Sequence, residues 1–166
     1  MQPTRAPALA VVLVFSLAAT PVSAGPPAKV NGCVLEPATD CAGAKLAGAR
    51  LRASDLEQAT LRGAALAGAD LRESNLQRAN LEAAGLRNAD LRGVDASRAR
   101  LGGADARGAK LQGAILRGAN LAGARLEGAD LTGADLAGAD LSAAALAGAV
   151  WTDGRTCAAG SVGACQ

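Results

Sequence analysis

The chain has 166 residues and is 50% apolar, yet aromatic residues are only 1%, with one Phe, one Trp and no Tyr. Such a composition excludes a globular core built on large side chains, and the absence of His removes the commonest acid–base group and metal ligand. The formal net charge of +2 favours neither a polyanion binder nor a polyanion mimic.

Residues 1–24 read as a secretory signal peptide: Arg5, an apolar run from Ala8 to Ala19, then Val22-Ser23-Ala24 as a small-residue cleavage site. The rival reading, a membrane anchor, fails on length, because about a dozen apolar residues do not span a bilayer. Removing this segment takes away only Arg5, leaving 16 Lys/Arg against 15 Asp/Glu. Residues 25–43 form a lead-in and N-terminal cap, with Pro26-Pro27 extended and Cys33 and Cys41 following.

From residue 44 to residue 150 the chain keeps one five-residue register. Of its 21 positions from Leu46 to Leu146, 19 are Leu, and the exceptions are Ala96 and Ala106. Two residues earlier 18 of the 21 are Ala, the others being Ser54, Ser74 and Val94; two residues later 13 are Gly. A helix turns about 100° per residue, so a period of five scatters leucines around it. A flat strand alternates faces, so an odd period throws successive leucines to opposite sides. A backbone that bends a fixed amount per quintet keeps every leucine inside, which is a solenoid. Cys41 and Trp151 fall in the same register, one before and one after. They read as the first inward residue and as a lid over the open end of the column. Residues 151–166 form the C-terminal cap, with Cys157 and Cys165 in its loop.

Quintets such as Ala129-Asp130-Leu131-Thr132-Gly133 and Ala139-Asp140-Leu141-Ser142-Ala143 resemble the A(D/N)LXX units of the pentapeptide-repeat proteins. The resemblance implies an all-β solenoid: a right-handed quadrilateral parallel β-helix with four quintets per coil and residues 20 apart stacked. About five coils at roughly 4.8 Å give a rod about 26 Å long. The chain departs from the pattern before the register residue, at Lys45, Arg50, Ala65, Gly85, Arg100, Lys110, Ile115 and Arg125, which alters the surface and leaves the interior intact.

On such a rod, cross-end disulfides are too long, since bonded cysteines need Cα atoms within about 7 Å. That leaves Cys33–Cys41 and Cys157–Cys165, in keeping with export to an oxidising compartment. A metal site is disfavoured by two cysteines per end and no His. Stacking by 20 places Arg52, Arg72 and Arg92 in one column, a candidate docking face, although a merely solvated face explains them equally. It also sets Arg62 against Glu82, Arg107 against Glu127, and Lys110 between Asp90 and Asp130. Charge is uneven along the rod: residues 87–125 hold eight bases and three acids, residues 126–153 five acids and no base. The Ala96 and Ala106 gap reads as tolerated drift or as a softer waist, with Val94 filling part of it.

A filled column implies no cleft, catalytic residue or cofactor. Some members of the resembled family mimic B-DNA and bind DNA gyrase, but that requires an acidic cytoplasmic rod. The reading is therefore a non-enzymatic exported module, protein-binding or structural, with a protein partner or self-association as a homodimer. An inhibitor or stress protein with one specific partner is the alternative. No nucleic acid and no stable membrane insertion are expected.

Overall fold

The computed structural model describes residues 29–166; residues 1–24, read above as a signal peptide, and Pro26-Pro27 lie outside them. The first element is a hairpin of β1 (Lys29–Val30) and β2 (Cys33–Val34), paired antiparallel. Asn31 and Gly32 join them with φ of 48° and 86°, the double positive φ that favours Asn-Gly hairpins. The sequence reading gives residues 25–43 as a lead-in and N-terminal cap and does not name a hairpin within it. Asn31 Nδ2 then donates to Lys45 O at 2.6 Å, tying the hairpin to the first coil.

Beyond it, every pairing joins residue i to residue i+20 in parallel, from Asp40–Thr60 to Asp130–Val150. Each coil is therefore four quintets, and the right-handed quadrilateral β-helix is the fold. A face is three extended residues long. Its outer two, the small residue and the leucine, point inward, and the middle one forms the bridge. The ladder is regular: Leu51 N donates to Asp70 O at 2.7 Å, and Asp70 N donates to Ala49 O at 2.9 Å. The bend follows each leucine. Ala49 N reaches back to Leu46 O at 3.0 Å across Ala47 and Gly48, and Gly48 has φ 66°. All 21 equivalent positions have positive φ, including the non-glycines Ala53, Gln58, Glu73, Arg78, Ala83, Asn88, Arg98 and Ala143. Each of those eight pays about 1–2 kcal/mol relative to a right-handed conformation.

Apart from Leu136 and Leu141, the register leucines form one continuous buried column, and each contributes roughly 1.5–3 kcal/mol by leaving water. Ser74 is the buried polar exception in the alanine positions, and its Oγ donates to Leu51 O at 2.7 Å. Where Ala96 and Ala106 replace leucine, an apolar cavity of about 20 Å³ remains, bordered by Val94.

At the C-terminus residues 151–166 reverse direction and run antiparallel over the last coil, pairing Val150 with Thr156 and Ala145 with Val162. Leu146 N donates to Ser161 O at 2.9 Å and Gly148 N to Cys157 O at 3.1 Å. Cys157 and Ser161 are buried, while Trp151 is partly buried against the core at the turn that begins this loop. The loop covers the half of the column under the faces of Ala145 and Val150, with Trp151 at its edge. The cysteines meet within each end: Cys33 with Cys41 at a Cα separation of 5.3 Å, and Cys157 with Cys165 at 4.9 Å.

Candidate interaction surfaces

The outward residue before each leucine has a structural duty as well as a surface one. Its carboxylate or amide oxygen accepts the N–H of the residue after the leucine, at the start of the bend. Asp130 takes Thr132 N at 2.9 Å, Asn120 takes Ala122 N at 2.9 Å, and Asp140 takes Ser142 N at 2.9 Å. Lys45, Ile115 and the other departures from Asp/Asn cannot supply this acceptor. Their cost therefore goes beyond altered surface chemistry.

Arg52, Arg72 and Arg92 do stack in one column, but each is engaged. Arg72 grips Asp70 with two bonds, Nε–Oδ1 at 2.8 Å and Nη2–Oδ2 at 2.6 Å, and reaches Asp90 at 3.7 Å. Arg92 grips Asp90 in the same way, at 2.8 and 2.7 Å, and Arg52 pairs with Glu73 at 2.7 Å. Gln112 continues the column by donating to Asp130 Oδ2 at 2.6 Å. The side-chain bond from Arg72 is the main reason Asp70 titrates at about 2, with the Arg72 N–H adding to it. Arg107 does the same to Asp105, also to about 2. Arg92 lowers Asp90 likewise. The column is an alternating zipper of charge, with no bare arginine stripe.

Several expected pairs form differently. Glu82 pairs with Arg100 at 2.6 Å, where Arg62 was expected. Arg107 holds Asp105 at 2.5 Å, and Glu127 takes Arg125 at 3.4 Å. Lys110 has no ion pair among the described residues, since Arg92 occupies Asp90, and Thr132 and Gln112 occupy Asp130. The physical reason is reach. An arginine one residue past the leucine folds back onto the carboxylate one residue before it, which fixes a bidentate fork over a single bend. The Asp-x-Arg spacing at residues 70–72, 90–92 and 105–107 is the sequence signal for it.

The C-terminal end carries a second surface, which sequence reasoning did not find. The returning loop covers only two of the four faces. On the other two, Leu136, Ala139 and Leu141 are partly exposed beside the core. Among the described residues, the N–H groups of Leu136, Gly138 and Leu141 and the carbonyls of Ala134 and Ala139 have no backbone partner. In earlier coils the equivalent groups are paired, as in Leu116 N to Asp135 O at 2.8 Å. Leu136 and Leu141 keep the register perfectly, so the only hint in the sequence is a tail too short to cross four faces.

These features define a capped parallel β-solenoid that displays flat, ion-paired faces. The chain belongs to the pentapeptide repeat family: the pattern described as pentapeptide repeats (8 copies) matches at residues 39–78, 74–113 and 114–150. It is similar to Rfr23, a pentapeptide repeat protein of the cyanobacterium Cyanothece 51142, at 40% identity and a TM-score of 0.51, over 51% of this chain and 58% of that one. The chain thus spans less than two thirds of the length of Rfr23. HetL, from the cyanobacterium Nostoc sp. and involved in heterocyst differentiation regulation, is 28% identical with a TM-score of 0.46, covering 70% of this chain and 76% of HetL. Trypsin-treated QnrB1, a plasmid-mediated fluoroquinolone resistance protein, is 18% identical with a TM-score of 0.46, covering 68% and 74% respectively. Comparison with curated protein sequences gives no match.

Proposed function

We propose that the protein is an exported, non-enzymatic rod that acts as a protein-binding or structural module in the cell envelope or outside the cell. The observation that carries this reading is the open half of the C-terminal end, an unpaired sheet edge next to exposed leucines. Solenoids normally cover such edges because they recruit another chain. The occupant we assign is a second copy. The edge interleaves donors (Leu136, Gly138, Leu141) with acceptors (Ala134, Ala139), so two copies can pair about a two-fold axis, leucine against leucine. Export fits the apolar run before Val22-Ser23-Ala24 and the two cysteine pairs held within single ends.

Light scattering on the purified protein tests the first half: a dimer is expected, and Leu141→Glu should give a folded monomer. Cell fractionation with intact-mass measurement tests the second, through loss of residues 1–24 and of four thiol hydrogens. The acid-only stretch from residue 126 to residue 153 supports the alternative of one specific basic partner. A monomer that co-purifies with one stoichiometric protein would favour that alternative.

A further inference from the structure

One corner of the rod holds a groove of about 420 Å³ lined by Gln77, Arg78, Ser97, Arg98, Arg117 and Gly118, with Ala137 at the end that meets the open C-terminal edge. Arg78 and Arg98 have no carboxylate within ion-pair distance among the described residues, whereas Arg72, Arg92 and Arg107 are clamped to their own aspartates. Lys29, Lys45, Arg50, Arg62 and Lys110 also lack an ion pair among the described residues, but this groove brings two such cations together one coil apart. Arg117 is held only by an exposed pair with Asp135 at 2.9 Å. Asp95, beside the groove, is already served by Ser97 N at 3.0 Å, Ser97 Oγ at 2.7 Å and Gln77 Nε2 at 2.9 Å.

The backbone fixes where these two side chains leave the rod. Arg78 and Arg98 occupy the left-handed bend position, with φ of 57° and 58°, which most quintets give to glycine. Six other non-glycine residues at the equivalent positions, among them Gln58 and Glu73, share that conformation, so it sets where the two arginines emerge without marking them out. The next two residues at this corner are Gly118 and Gly138, so no side chain fills the space beyond Arg98.

We propose that this groove binds a phosphoryl group, as free phosphate or as the monoester end of a small molecule. Arginines whose backbones lie one coil apart, about 4.8 Å, can both donate to one tetrahedral oxyanion. Two uncompensated cations match a dianion, whereas a carboxylate answers only one fork. The volume exceeds that of a bare phosphate and leaves room for an attached sugar-sized moiety. The site borders the C-terminal edge at Ala137, but it rests neither on pairing at that edge nor on where the protein is delivered.

The test is amide chemical-shift titration of the full protein at fixed ionic strength, with inorganic phosphate, glucose 6-phosphate and acetate in separate arms. Saturable shifts at Gln77, Arg78, Ser97, Arg98 and Arg117 are expected with phosphate or its ester and not with acetate. Tighter binding of the ester identifies a monoester site, and equal binding a free-phosphate site. Arg78→Gly/Arg98→Gly should keep the fold, because glycine is the commonest residue at this bend, and should weaken binding at least about ten-fold. Arg62→Ala, which removes a cation elsewhere, should leave binding unchanged. Equal shifts with acetate, no saturation, or unchanged binding in the double glycine variant would overturn the proposal.

Discussion

Asparagine 120 illustrates what the outward residue does, since its side chain accepts Ala122 N at 2.9 Å where the bend leaves that N–H without a backbone acceptor. Asn120→Ala should therefore destabilise by about 1 kcal/mol, read from chemical denaturation, although the side chain touches no core residue. Where the capping residue is an aspartate the bond also carries charge. Asp70 and Asp105 titrate at about 2 against an ordinary 3.8, chiefly through the side-chain bonds of Arg72 and Arg107. Asp130 is lowered by the Thr132 hydroxyl and N–H, Asp135 by Ala137 N–H and Arg117, and Asp140 by Ser142. A carboxylate depressed in the folded state binds fewer protons there than when unfolded, so it stabilises above the ordinary value and loses that effect as pH falls. Thermal melts should thus be nearly flat from about pH 5 to 8, where a chain without His has little to titrate, and should drop between 3.8 and about 2. A melting temperature that changed most near pH 6 would contradict this origin.

Within the coil, the unit of packing is the layer of four leucines, and one layer is incomplete. Ala96 and Ala106 lie on opposite faces and leave the apolar cavity of about 20 Å³. The two alanines are not equivalent. Val94 precedes Ala96 by two residues on the same face and is fully buried, so its branch already uses part of that space. Ala106 has the ordinary small neighbour, Ala104. Ala106→Leu should raise stability by about 1–2 kcal/mol, and Ala96→Leu by less, because overpacking against Val94 offsets the burial. Equal gains would mean that Val94 leaves the space open. The layers were legible in the sequence because each inward position is repeated 21 times, and a period of five admits only one shape that buries them all. The ion pairs were not legible from stacking alone. Residues 20 apart are neighbours in space, as Arg62 and Glu82 are, yet arginine's fork finds a nearer carboxylate across a single bend, as Arg107 finds Asp105. The open C-terminal edge was hidden for a different reason. Leu136 and Leu141 are indistinguishable from buried leucines until the path of the tail is known.

A rod of stacked coils has no central core that every residue shares, so its stability is a sum of layers and of interfaces between neighbours. Such a molecule unravels from its ends, and the ends here differ. The N-terminal end is held by the Asn31-Gly32 hairpin and by Cys33–Cys41, with Cys41 buried in the leucine register. The C-terminal end is held by one loop lying over two faces, closed by Cys157–Cys165, while the faces carrying Leu136 and Leu141 rest on the coil beneath alone. An eight-residue closed loop contributes somewhat under about 3 kcal/mol in the chain-entropy view, enough to decide whether a terminal layer stays formed. Cys157→Ala/Cys165→Ala should therefore fray the last coil before anything else. Hydrogen exchange followed by peptide mass should show protection lost across residues 131–150 while residues 71–111 keep theirs. Cys33→Ala/Cys41→Ala should expose residues 44–60 in the same graded way. Leu116→Asp is the opposite case, because it puts an unpaired charge inside the column, where the coils on both sides stack against the same layer. That variant should fail to fold as a whole. Uniform loss of protection in the cap variants, or cooperative unfolding of a soluble Leu116→Asp protein, would show that the rod does not behave as independent layers in series.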